Sequence, residues 1–142
     1  MCNIKSTIED CKIINLDKVF SENSFIINFL NSPKNFPFDI KRIFYLYDIP
    51  VNLSRGAHAH KQLQQFIASV MGSFAVTIDD GTNKKTFKLE KPDLGLYVPP
   101  LIWVELADFS INSIVLVLTS DVYKEQDYIR NYKEFLNIRH DI

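Results

Sequence analysis

The sequence predicts an all-β domain, a sandwich or barrel of short strands closed by one short amphipathic helix near the C-terminus. Three observations carry this expectation. Eleven Phe, six Tyr and one Trp stand against only four Gly, and such a composition suits pleated, half-buried surface. Short apolar runs recur between turn signals along most of the chain, the spacing of sandwiches and barrels. Only the last segment switches to helical spacing. With 142 residues, 46% hydrophobic and 23% charged, the chain is long enough for one core and reads as one domain, 1–142. It carries no linker, repeat or low-complexity stretch.

Residues 26–30 and 42–47 read as strands, bounded by Ser32-Pro33 and by Pro50, and Pro37 blocks a helix between them. A strand at 64–70 runs into the turn Met71-Gly72-Ser73, and 74–78 follows. Asp79-Asp80-Gly81 signals a hairpin, with Asp-Gly read as a type I′ turn. Then come 84–89, closed by Lys91-Pro92-Asp93, and 96–98, 102–105 and the continuous apolar 111–119. In 128–136, Ile129, Tyr132, Phe135 and Leu136 fall at helical spacing, with Asp127 placed as the cap. That stripe reads as core packing of a helix on the outside of the β body.

Sixteen Lys+Arg against seventeen Asp+Glu give a net charge of -1, which supplies no general field for nucleic acid. No apolar run reaches the roughly 18 residues of a membrane span. The start, Met1-Cys2-Asn3-Ile4-Lys5-Ser6, lacks a signal peptide's apolar core. Cys2 and Cys11 are too few for a disulfide framework. A soluble, cytoplasmic protein is expected, with no nucleic-acid or membrane partner.

The chemistry concentrates in Arg55-Gly56-Ala57-His58-Ala59-His60. Residues two apart on a strand share a face, so His58 and His60 project together. Two neighbouring imidazoles need polar partners if buried, and histidine is the side chain suited to moving protons near neutrality. His140, close to the C-terminus, is expected in a solvated tail.

A His-X-His strand also suggests metal. Barrels of the cupin kind follow such a pair with a Glu, a Gly and later a His; here His58, His60 and Gly72 fit, but Gln65 replaces the carboxylate. Pro99-Pro100-Leu101-Ile102-Trp103-Val104 offers no histidine. Two neutral imidazoles and an amide make a poor divalent site, so no metal and no cofactor is expected. Nearby stand Lys41, Arg42, Tyr45, Tyr47 and Arg55. Arg suits a diphosphate through its planar fork, and either Tyr could line a pocket. No Gly-rich phosphate loop, Ser-His-Asp order or Cys/His cluster is present, which removes triphosphatase and protease readings.

Phe36-Pro-Phe-Asp-Ile-Lys-Arg-Ile-Phe-Tyr-Leu-Tyr47 followed by Arg55-Gly-Ala-His-Ala-His-Lys61 resembles the sugar 3,4-ketoisomerases of the cupin superfamily. Asp79-Asp-Gly81, Tyr97-Val-Pro-Pro-Leu-Ile-Trp103, Phe109-Ser110, Val115-Leu-Val-Leu-Thr-Ser120 and Asp127-Tyr-Ile-Arg130 continue the likeness across about 24–136. Phe44 and Val104 depart from it, standing where relatives often carry a Tyr and a polar residue.

The resemblance implies a cupin-like jelly-roll β-barrel and a homodimer exchanging strands between chains. It implies an isomerase acting on dTDP-4-keto-6-deoxy-D-glucose, without metal, towards a 3-amino-3,6-dideoxy sugar. His58 is then the expected base and His60 its partner acid or orienter. Arg42 and Arg55 are expected on the diphosphate or the oxyanion, with Tyr45, Tyr47 and Gln65 also on the substrate. A nucleotide-sugar 3,5-epimerase and a non-catalytic sugar-binding cupin are the competing readings. The sequence leaves the C4 configuration of the product open.

Overall fold

Two five-stranded antiparallel sheets pack face to face over an apolar core in the computed structural model, which describes residues 5–29 and 36–141. The strands are β1 (Lys12–Asn15), β2 (Asp17–Ser21), β3 (Ser24–Asn28), β4 (Arg42–Leu46), β5 (Arg55–His60) and β6 (Gln65–Met71). They continue as β7 (Phe74–Asp79), β8 (Lys84–Leu89), β9 (Leu94–Val98), β10 (Trp103–Ala107), β11 (Ile114–Thr119) and β12 (Tyr128–Ile129), before helix α1 (Tyr132–His140). One sheet runs β1-β9-β6-β11-β4 and the other β12-β5-β10-β7-β8, while β2 and β3 pair only with each other. The result is the expected all-β jelly roll with a C-terminal helix.

Ile67, Val76, Ile78, Leu96, Val115 and Val117 fill the space between the sheets. The outer face of the first sheet carries a second layer built on Phe36, Phe38, Phe66 and Leu118. Phe66 is fully buried, worth roughly 1.5–3 kcal/mol. It lies so close over Gly95 that a Cβ there would collide with its ring. On the outer face of the second sheet, Phe135 of α1 packs on Ala59, Trp103 and Ile129.

Several boundaries differ from the sequence reading. Asp127 does not cap a helix and 128–136 is not one helix. Asn131 caps α1 instead, accepting from Glu134 N at 3.0 Å. Tyr128 and Ile129 extend along the free edge of β5, opposite His60 and Ala59. Buried pairing there outweighs the local helical spacing. Asp79-Asp80-Gly81 does lie in a hairpin, but the connection spans four residues between β7 and β8. Asp79 accepts from Gly81 N at 2.7 Å, and Asp80 accepts from Thr82 N and Asn83 N. Those bonds hold a longer loop than a type I′ turn. Two consecutive positive φ angles, 51° and 61°, occur instead at Glu22 and Asn23 between β2 and β3, as a two-residue primed turn requires. Residues 111–113 form a turn before β11, with Asn112 at φ 60°. His140 is not in a tail but in the last turn of α1, its Nε2 3.1 Å from the Gly81 carbonyl. Cys11 is a buried thiol, pushed by burial to about 12; Cys2, Leu30 and Ser32-Pro33 lie outside the described residues.

Candidate active site

At one end of the barrel the inner face turns polar. Beneath it lies a cavity of about 440 Å³, bordered by β4, β5, β6, β10, β11 and 128–130. The histidines enter it because β5 is bulged. His58 faces Val104, while Gly56 already faces Glu105, leaving Ala57 unpaired between them. Gly56 and Ala57 take φ 85° and 56°. A Cβ on Gly56 would sit 2.9 Å from the Val104 carbonyl oxygen, so both the angle and the close approach call for glycine.

Beyond the bulge, alternation resumes: Ala59 points into the α1 interface, and His58 and His60 point into the cavity. Their ring centroids are 5.0 Å apart, edge to face. The Asp127 carboxylate lies 3.2 Å from His60 Nδ1, and it also accepts from Gln62 N at 2.9 Å and Leu63 N at 3.2 Å. Two backbone donors fix this carboxylate, which in turn fixes the imidazole. Burial lowers the pKa of His60 well below the ordinary 6.5, assisted by His58 and opposed by Asp127. Burial lowers His58 as well, against a hydrogen bond to the Gly56 backbone. The His60–Asp127 contact is therefore a hydrogen bond from a neutral ring at neutral pH. Among the described residues the Nδ1 of His60 is engaged by Asp127 and its Nε2 has no hydrogen-bond partner.

The mouth of the cavity is cationic. Arg42 stacks 4.3 Å over the Phe44 ring and 5.4 Å from that of Tyr123. Arg55 borders the same cavity. Arg130 lies 4.2 Å from the centre of the Tyr128 ring and holds Glu125 through Nε and Nη2 at 2.8 and 2.9 Å. Hydrogen bonding from Arg130 keeps the Glu125 carboxyl down at about 2.

Of the residues expected from sequence, His58, His60, Arg42, Arg55 and Gln65 meet at this cavity. Tyr45 and Tyr47 do not. Alternation along β4 sends Arg42, Phe44 and Leu46 inward, and both tyrosines lie 62% exposed on the other side. Their rings, 5.9 Å apart, border a shallow depression with Leu53. Three further residues belong to the site: Asp127, Tyr128 and Arg130. Their signal was the segment Asp127-Tyr-Ile-Arg130, which reads locally as the start of a helix. Among the described residues, no group of three or more His, Cys, Asp or Glu side chains could hold a metal ion. Beside the two imidazoles, Gln65 brings only a neutral amide and Val104 no donor.

Fold and cavity together define the class, a cupin barrel with an open, histidine-bearing cavity. Residues 9–140 match the family model described as FdtA: WxcM-like, C-terminal. The chain belongs to this family of sugar-nucleotide 3,4-ketoisomerases and is an enzyme of that kind. It is 41% identical over 124 residues to the TDP-4-oxo-6-deoxy-alpha-D-glucose-3,4-oxoisomerase of Aneurinibacillus thermoaerophilus, covering 87% of this chain and 88% of that protein. A crystal structure of a 3,4-ketoisomerase from Helicobacter canadensis superposes with a TM-score of 0.88 at 42% identity, over 93% of this chain and 98% of that one. A histidine-to-asparagine variant of the 3,4-ketoisomerase QdtA from Thermoanaerobacterium thermosaccharolyticum, in complex with TDP-4-keto-6-deoxyglucose, gives 0.87 at 30% identity, over 92% and 94%.

Proposed function

We propose that this protein moves the ketone of dTDP-4-keto-6-deoxy-D-glucose from C4 to C3, without metal, on the way to a 3-amino-3,6-dideoxy sugar. The observation that carries the reading is the pair of imidazoles, His58 half-buried and His60 buried, 5.0 Å apart in a cavity with arginines at its mouth. The substrate named for the Aneurinibacillus relative and bound in the QdtA complex supports it.

The 4-keto group acidifies the hydrogen on C3. His58 removes that proton, the pair flows into a C3=C4 bond, and the former carbonyl becomes the enediolate oxygen. Return of a proton to C4, with loss of the O3 proton, leaves the ketone at C3. His60, held by Asp127, is the partner of His58. Acid–base catalysis of this kind contributes about 10²–10⁴-fold. Arg42 and Arg55 take the diphosphate or the developing oxyanion, and local cations are required because the chain's net charge is -1.

A homodimer completes the proposal. The β2–β3 hairpin pairs with neither five-stranded sheet among the described residues, and exposes Phe20 and Phe25. Strand β4 is a sheet edge with Ile43 and Tyr45 outward. Such an edge beside apolar surface calls for a partner strand.

The test is incubation with dTDP-4-keto-6-deoxyglucose followed by NMR of the carbonyl position. A carbonyl at C3 supports the proposal. Inversion at C3 and C5 with the ketone still at C4 would make the protein an epimerase, and binding with an unchanged spectrum over hours a non-catalytic binder.

A further inference from the structure

The isomerisation needs more than a base at carbon: O4 must gain a proton and O3 must lose one. We propose that Tyr128 is a catalytic residue, its phenol relaying that proton between the two oxygens; this rests on the ketoisomerase reading above.

The six tyrosines separate cleanly. Tyr97 donates to Gln64 Oε1 at 2.6 Å, Tyr132 to Asp79 Oδ2 at 2.5 Å, and Tyr123 to Glu125. Tyr45 and Tyr47 face away from the cavity. Tyr128 lines it, and among the described residues nothing hydrogen-bonds its hydroxyl. Its ring centre lies 5.0 Å from that of His58 and 4.3 Å from that of His60. The backbone fixes this placement, because β12 pairs with β5 and sets Tyr128 opposite His60. The inward positions of β4 offer no phenol, since Phe44 stands there.

The step balances without any oxidant. His58 takes the C3 proton as the phenol gives its own to O4, forming the neutral enediol. The phenolate then takes the O3 proton as the C3=C4 pair accepts at C4 the proton returned by the protonated imidazole pair, closing the C3 carbonyl and restoring both the phenol and the neutral His58. Arg130, 4.2 Å from the ring centre, places a positive charge beside the transient phenolate.

Tyr128→Phe keeps the ring and removes only the hydroxyl. Retained dTDP binding by calorimetry checks that the variant is folded. In D2O, kcat for ketone migration should fall about 10²-fold with KM little changed, the loss typical of one transition-state donor. Deuterium entry at C3 of the substrate should fall much less, because His58 still removes that proton and the arginines still hold an anionic enediolate. Unchanged migration, or migration and exchange lost in the same proportion, would overturn the relay. A wild-type protein that moves no ketone would instead overturn the underlying reading, so the two failures are distinguishable.

Discussion

Gly56→Ala tests whether the β5 bulge aims the histidines. Gly56 sits at φ 85°, where a side chain costs about 1–2 kcal/mol. Its new Cβ would lie 2.9 Å from the Val104 carbonyl oxygen. That oxygen cannot retreat freely, because β10 is paired with β5 on one side and β7 on the other. Overpacking against a fixed neighbour adds roughly 1–3 kcal/mol, for a total of about 2–5 kcal/mol. At about 3–4 °C per kcal/mol for a domain of this size, Tm should drop by roughly 6–20 °C. His58 lies two residues beyond Gly56, directly after the bulged Ala57 and facing Val104, so relief of the clash displaces the base. A misplacement of about 1 Å can cost on the order of 10²-fold in turnover. Scanning calorimetry reads the first effect and NMR progress curves the second. A Tm within about 2 °C of wild type together with undiminished kcat would show that the bulge neither strains nor aims the strand.

His58→Asn should reduce turnover by about 10²–10⁴-fold with dTDP affinity nearly intact, and His60→Asn should cost less; residual activity above roughly a tenth of wild type in His58→Asn would move the base elsewhere. Burial holds both imidazoles below 6.5, so kcat/KM should stay level near neutrality and fall only as pH drops below that value; an acid limb centred above about 7 would contradict a neutral pair. Stability should move the same way: below pH 6.5 the unfolded chain binds protons that the buried rings refuse, so Tm declines with falling pH. Arg42→Ala or Arg55→Ala should weaken dTDP binding about 10- to 150-fold, as loss of a charge-assisted hydrogen bond would, and unchanged affinity in both would remove them as the diphosphate anchor. Light scattering at micromolar concentration should give twice the 16.5 kDa chain mass; a monomer would refute the strand-exchange reading.

Strand legibility followed side-chain pattern and the turn signals at strand ends. β8 matches its sequence assignment of 84–89 residue for residue, and β7 and β11 end within one residue of theirs. β7 alternates large and small residues along Phe74–Ile78, and β11, between β6 and β4 with both faces covered, reads as a continuous apolar run. β1 and β2 went unseen for the converse reason. No residue of β2 is even half-buried, and its Asp17-Lys18-Val19-Phe20-Ser21 shows no alternation to read. Its order comes from pairing with β3 through the Glu22-Asn23 turn, a partner that local composition does not announce.

The same periodicity decides the site, and it contained a constraint that the sequence reading did not apply. On one strand, Arg42 and Tyr45 are three positions apart and must face opposite sides. Choosing Arg42 for the cavity therefore excluded both Tyr45 and Tyr47 from it and chose Phe44 and Leu46. His58 and His60 obeyed the rule because they lie on the same side of the bulge; Arg55, on the other side, reaches the same cavity only because Ala57 adds an extra residue. What periodicity could not supply is Asp127. A carboxylate four residues before a capping Asn looks like part of a helix start, yet it accepts from backbone donors at Gln62 and Leu63 and orients His60 from 67 residues away in the chain. Only the closure of β12 onto β5 brings them together. That closure also delivers the one cavity-facing phenol, Tyr128, so the edge strand that the sequence concealed positions both the partner of His60 and the hydroxyl that β4 lacks.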